Sequence, residues 1–127
     1  MIILLVILYI SYLHFKIKEE YMHVCSLGTL CHSTKLIMNN KLKRESYPFD
    51  WIYSNPKNVL HMIEDDFKTF LDKSFYISKK LRAGHTEYDD NLFNHHNPKD
   101  NQTHYNYFVR CVNRFRDLLK TTEKNYL

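Results

Sequence analysis

Glycine occurs only twice, proline three times and alanine once in a chain of 127 residues. With so little glycine there is no glycine-rich phosphate loop, no Gly-x-Ser-x-Gly elbow, and no His-Glu-x-x-His helix either. Those absences exclude P-loop nucleotide hydrolysis, elbow-type serine hydrolases and zincin proteases. Cysteine is also scarce: three thiols without framework spacing exclude a disulfide-stapled secreted module and point to a reducing compartment. His23, Cys25, Cys31, His32, His95, His96, His104 and Cys111 would suffice in number for zinc. No Cys-x2-Cys pair exists, however, and Cys25 to Cys31 is too loose for a knuckle, so neither metal nor any other cofactor is expected. The net charge of +4 is spread among 18 basic and 14 acidic residues. No concentrated footprint for nucleic acid results, and none is expected as a partner.

What is present is enough for one domain with a real core: 44% hydrophobic and 15% aromatic residues, and no repeat, low-complexity tract or linker. Residues 1–18 stand apart from 19–127. Ile2 to Phe15 are almost entirely apolar, about 14 residues where a spanning helix needs roughly 20. The segment lacks the basic start and small-residue cleavage site of a signal peptide. It reads as a membrane anchor or transmembrane segment, as a buried β-rich segment, or as the product of a start codon read too early. Lys16 and Lys18 directly after it would keep the following domain cytosolic. The expected location is therefore cytoplasmic, or membrane-associated with the domain in the cytosol.

Further on, Tyr21 to Ser26 reads as a short buried strand that stops at Leu27-Gly28, where Gly28 supplies the positive φ of a tight strand-to-helix turn. A helix is expected from Cys31 to Leu42, with Leu36, Ile37 and Leu42 on its apolar side and Lys41-Leu42-Lys43-Arg44 as a basic end. Pro48 argues against a central strand in Ser46 to Ile52. That stretch is a buried loop or edge strand, burying Phe49 and Trp51 while Asp50 points the other way. Asn55 as N-cap and Pro56 at the first position open a helix with Val59, Leu60, Ile63, Phe67, Phe70 and Leu71 on one stripe. Ser74 to Ser78 suggests a short strand and Ala83-Gly84 a turn; Asn97-Pro98 ends the element carrying His95 and His96. A last helix from about Asn101 to Thr121 points Tyr105, Phe108, Val109, Val112, Phe115 and Leu119 to the core. Arg110 and Arg114 share one of its faces.

A cysteine at a helix start has its thiolate stabilised by unpaired N–H groups and the positive end of the dipole, and the same N–H groups can later hold an oxyanion. Cys31 is so placed. His95 or His96 would complete an activated nucleophile, with Asp50 or Asn113 orienting the imidazole. Against this stand plainer readings: a buried inert cysteine, a capped His-His turn, and a carboxylate that ties down loop N–H groups. Arg110 and Arg114 would bind a substrate carboxylate, or pair with Asp50 and acidic neighbours to fix the helix.

Ser26-Leu27-Gly28-x-x-Cys31, Ser46-Tyr47-Pro48-Phe49-Asp50-Trp51-Ile52, Phe67-x-x-Phe70-Leu71, Phe93-x-His95-His96, then Tyr105 and Arg110-x-x-Asn113-Arg114-Phe115 together resemble the papain-like cysteine peptidase family DUF1796. The resemblance implies an α/β fold of the α+β papain-like type, helix-rich with a small central sheet. It also implies Cys31 as nucleophile, a histidine of the Phe-x-His-His block as base, and a protein or peptide-like substrate. The competing reading is a catalytically inactive papain-like domain serving as an interaction module. The family occurs in bacteria and large DNA viruses, and the scarcity of glycine, proline and alanine against abundant Ile, Lys, Asn and Tyr, which reads as AT-rich coding, suits the latter. Because the family's domain continues past the Arg-Phe helix, the sheet is expected to be incomplete at the C-terminus.

Overall fold

The structure is a computed structural model that describes residues 1–21, 23–28 and 30–120, leaving aside the side chains of residues 15–21. Its elements in chain order are α1 (Ile2–Tyr21), α2 (Cys31–Asn39), α3 (Pro56–Glu64), α4 (Lys68–Leu71), a 3-10 turn (Lys73–Phe75), β1 (Tyr76–Lys79), β2 (Arg82–His85), β3 (Asp89–Phe93) and α5 (Gln102–Lys120). Helices thus combine with one three-stranded antiparallel sheet in the order β1-β2-β3, an α+β arrangement.

Local rules account for much of this. Asn55 caps α3 by accepting the Asn58 N–H at 2.9 Å, and Pro56 occupies the first helical position, where its missing N–H costs nothing. The helix is shorter than its apolar stripe. It stops at Glu64 because Asp66 and Phe67 adopt left-handed φ values of 54° and 58°, and the Phe67 N–H bonds back to the Met62 carbonyl at 2.7 Å. That turn drives Phe67 into the core, where α4 adds Phe70. Leu60, expected on the buried stripe, is instead 56% exposed, and Met62 is buried.

The core is built around phenylalanine. Phe49, Phe67, Phe70, Phe93, Phe108 and Phe115 are all at most 2% exposed, and consecutive ring contacts join them: Phe115 to Phe49 at 5.6 Å, Phe49 to Phe67 at 5.7 Å, Phe67 to Phe70 at 6.0 Å, Phe70 to Phe93 at 5.5 Å, and Phe93 to Phe108 at 4.9 Å. Each such pair adds about 0.5–1.5 kcal/mol beyond its area burial. The chain of rings runs from the Ser46–Ile52 loop through α4 and β3 to α5, so that loop, sheet edge and long helix are held in one packing unit. On α5 the stripe is Phe108, Cys111, Val112, Phe115 and Leu118; Leu119, expected inward, is exposed.

Several expectations are corrected. Among the described residues of the Tyr21–Ser26 stretch there is no strand: Tyr21 ends α1 and Val24 forms a lone bridge. Met22, Thr29 and Thr121 lie outside the described residues. The α2 helix ends at Asn39, and Lys41 takes φ 58°, so Leu42 to Arg44 lie beyond it. Its buried residue is Thr34, while Leu36 faces outward at 63% exposure. Ala83-Gly84 is the centre of β2 and no turn; the β1–β2 reversal falls at Lys80-Leu81, between the paired Lys79 and Arg82. Residues 2–13 form a helix with exposed side chains, not a buried β-rich segment.

Candidate active site

Cys31 is the first residue of α2, and its side chain is partly exposed. Leu30 precedes it with extended φ −146° and gives no side-chain cap. The approach to the helix is shaped by Gly28. This glycine has no positive φ, contrary to expectation, and its requirement is one of space. A Cβ at residue 28 would lie 1.7 Å from Ser33 Oγ and 2.8 Å from Ser33 Cβ, so only glycine lets the segment pass this close to the first turn of α2. Two serines pin it there: Gly28 N–H donates to Ser26 Oγ at 3.2 Å, and Ser54 Oγ donates to the Gly28 carbonyl at 3.3 Å.

One turn after Cys31, the buried Thr34 hydroxyl donates to the Asp50 carbonyl at 2.9 Å and lies 3.3 Å from Asp50 Oδ1. Contrary to expectation, Asp50 is only 2% exposed and points to the core side, and Trp51 is the half-buried one. The remaining carboxylate oxygen of Asp50 accepts the Tyr47 N–H at 3.1 Å and the Lys43 ammonium, with which it forms an ion pair. Lys43 also donates to the Glu45 carbonyl at 3.1 Å. The carboxylate is thus occupied by a lysine, a threonine and a backbone N–H, the task of a group that ties a loop to a helix. The expected pairing of Asp50 with Arg110 or Arg114 gives way to Lys43.

The two histidines separate. His95 is exposed on the turn after β3, and its ring meets the Trp51 ring edge-on at 5.7 Å. His96 turns inward, stacked on Tyr107 at 4.9 Å with an interplanar angle of 8° and packed edge-on against His104 and Phe108. Among the described residues its buried Nδ1 has no hydrogen-bond partner. Burial first, then the neighbouring His104 and His95, push its pKa down to about 4. The Tyr107 hydroxyl is also buried, beside the Cys111 thiol and Ser46.

The edge of the sheet holds the two halves together. Tyr53 N–H donates to the Leu92 carbonyl at 2.8 Å, and Ala83 N–H to the His96 carbonyl at 3.1 Å. One loop, residues 46–54, therefore carries the links to α2 through Asp50, to Gly28 through Ser54, to β3 through Tyr53 and to His95 through Trp51. His95 meets that loop from the end of β3, and α2, which begins at Cys31, meets it through Thr34.

Cys25 and Cys111 differ from Cys31 in being buried. Burial, reinforced by the Asp50 charge and opposed by Lys43, pushes the Cys25 thiol up to about 12, and burial raises that of Cys111. Arg110 is exposed. Arg114 donates to the Ser46 carbonyl at 3.3 Å and lies 4.0 Å from Glu45. It lines a cavity of about 610 Å³ with Met38, Lys43, Arg44, Glu45 and Ser46, at the opposite end of α2 from Cys31. Asn113 bonds with Arg116 at 3.1 Å, not with either histidine of the pair. Thr34 and Lys43 were not singled out from sequence. Thr34 carries a faint signal, one helical turn from Cys31; Lys43 carries only that of a basic helix end, because its partner is a loop residue beyond the helix.

The histidine burial has a measurable consequence. The fold disfavours the His96 imidazolium, so the unfolded chain takes up its proton first. His85, fully buried with Nε2 at 3.0 Å from the Thr69 carbonyl and Nδ1 accepting the Glu87 N–H at 3.2 Å, is shifted down in the same direction by burial. Stability is full above about pH 6.5 and declines toward about pH 4, by roughly 1–3 kcal/mol for His96 after allowance for its partial exposure. Denaturant midpoints measured across that range should fall with pH, and less steeply in His96→Phe; a slope unchanged by that substitution contradicts the assignment.

The fold and site define a small α+β domain with a partly exposed cysteine at a helix start and an exposed histidine against the tryptophan of the 46–54 loop. A family described as "Putative papain-like cysteine peptidase (DUF1796)" matches residues 22–97, and the chain belongs to that family. The match takes in Cys31, Asp50, Trp51, His95 and His96, whereas Arg110, Asn113 and Arg114 on α5 lie beyond it. No curated protein and no solved structure matches the chain.

Proposed function

We propose that this domain is a papain-like cysteine hydrolase in which Cys31 attacks an amide, isopeptide or thioester carbonyl of a protein or peptide-like substrate. The observation that carries the reading is the asymmetry among the thiols and histidines. Of the three cysteines only Cys31 is partly exposed and at a helix start, and of the His95-His96 pair only His95 is exposed beside Trp51. His95 is therefore assigned as base and His96 as a packing residue, since an imidazole that protonates only near pH 4 is a poor proton carrier at neutral pH.

In this mechanism His95 takes the Cys31 proton and the thiolate adds to the carbonyl carbon. Backbone N–H groups at residues 30–32 receive the oxyanion. The tetrahedral adduct collapses as His95 passes the proton to the leaving amine or, in the thioester case, to the departing thiolate, which returns the imidazole to its neutral form. Water activated by the same imidazole then adds to the acyl-Cys31 carbonyl, and collapse releases the acid and restores the thiol. Trp51 holds the base from one side, and Asp50 acts at one remove by fixing the loop that bears Trp51 to α2. The second reading, an inactive interaction module, draws support from one feature: the Asp50 carboxylate is engaged by Lys43 and Thr34, so orientation of the base rests on Trp51.

Alkylation of the folded protein by iodoacetamide near neutral pH, followed by peptide mapping, separates the two. The hydrolase reading expects Cys31 to be modified at least about ten times faster than Cys25 or Cys111, with the Cys31 rate falling several-fold in His95→Ala and little changed in His96→Phe. A Cys31 rate indifferent to His95 would favour the inactive module.

A further inference from the structure

The helix α1 has no place in the hydrolase scheme, and its surface is unusual for a protein in water. Every apolar or tyrosine residue from Ile2 to Leu13 is exposed, from 38% at Leu13 to 78% at Ile2. Nine of these, Ile2 to Ile10, are consecutive. At 3.6 residues per turn they cover the full circumference of the helix, leaving no polar face. A protein groove shields one stripe of such a helix, whereas acyl chains can surround all of it. The run Ile2–Leu13 measures about 18 Å against a hydrocarbon core of roughly 30 Å, and no helix among the described residues is long and apolar enough to cross a membrane. Twelve residues of helix reach through about one leaflet of that core. The first charged side chains after the run are those of Lys16 and Lys18, followed by Glu19 and Glu20, so the segment that meets the headgroups has balanced charge.

We propose that α1 inserts into the acyl region of a single membrane leaflet and holds the cysteine-bearing domain at the lipid surface. Hydrophobic transfer drives the insertion, with charge attraction a minor contributor, because the four charged residues at the exit cancel. The inference is independent of the hydrolase reading.

Flotation of the full-length chain with phosphatidylcholine vesicles, in low and in high salt, tests it. The chain is expected to float with the vesicles in both, and Ile7→Glu/Leu8→Glu to lower partitioning by about a hundred-fold or more. That variant should leave iodoacetamide labelling of Cys31 unchanged, which shows the domain still folded and keeps this outcome separate from the fate of the hydrolase mechanism. The proposal is overturned if the wild-type chain stays at the bottom of the gradient. It is equally overturned if binding occurs only with anionic lipid at low salt, or if α1 instead mediates a lipid-independent oligomer that the double substitution dissolves.

Discussion

Replacing Lys43 by methionine is expected to cost about 3 kcal/mol of stability. The Asp50 carboxylate is only 2% exposed, and its one cationic partner among the described contacts is the Lys43 ammonium, whose side chain is itself 17% exposed. Removing one member of a buried pair leaves the other as an uncompensated charge, a loss of about 3–5 kcal/mol in well-buried cases. The lower end applies here because Thr34 and the Tyr47 N–H remain on the carboxylate and water can approach through the site of the lost ammonium. Asp50→Asn keeps both neutral contacts and drops the charge, so the double variant Lys43→Met/Asp50→Asn should recover more than about 1 kcal/mol relative to Lys43→Met alone. Urea denaturation of the four proteins of the cycle measures this. Additive single effects would mean that Lys43 and Asp50 are not coupled, and that the loop is fixed to α2 by Thr34 alone. The same substitution should also disturb Trp51, whose fluorescence as the sole tryptophan reports on the loop before global unfolding.

Gly84→Val should be still more damaging, with a loss of about 3–4 kcal/mol or failure to fold. Ala83 pairs with Phe93 and His85 with Asp89, so three residues of β3, Asp90 to Leu92, oppose the single residue Gly84. This bulge presses the Asp90 backbone into the volume a side chain would occupy. A Cβ on residue 84 would lie 2.3 Å from the Asp90 carbonyl oxygen, 2.8 Å from its carbon and 2.9 Å from Cα. Backbone atoms cannot rotate away as a side-chain end can, so the strands must part. The damage extends to the site, because the bulged strand presents the Leu92 carbonyl to Tyr53 and leads into the turn bearing His95. Gly84→Ala, the milder variant, should fold, melt lower by several degrees, and label more slowly at Cys31 because His95 is displaced from Trp51. Melting by circular dichroism within a degree of the wild type would show that β3 yields without cost and that the close approach is not a constraint.

These two residues also show where sequence reading stopped. A glycine after alanine in a polar stretch signals a turn at Gly84; its strand role depends on a bulge in β3, six residues further on, that no local pattern announces. Lys43 was read as the basic end of a helix that in fact stops at Asn39. Asp50 was expected to point away from Phe49 and Trp51 on the alternation of a strand, yet residues 48–51 form a turn, where period-two reasoning does not hold. By contrast, Asn55-Pro56, the spacing of Phe108, Val112 and Phe115, and Cys31 at the head of α2 were all legible, since capping, helical period and the residue types at a helix start act within a turn or two.

The sequence by itself determined that Cys31 begins a helix, that His95 and His96 follow an apolar pair in an element closed by Asn97-Pro98, and that the Pro-Phe-Asp-Trp stretch is a buried loop or edge strand; its ordered motifs also carried the family. Only the tertiary structure decided which histidine faces outward, which cysteines are sealed, and what Asp50 holds. The helix signals arise from interactions among residues a few positions apart. The latter choices depend on the stacking of His96 on Tyr107, eleven residues on, and on the carboxylate of Asp50 reaching Thr34, sixteen residues back. Desolvation and ring packing of that kind exist only once the chain has closed on itself.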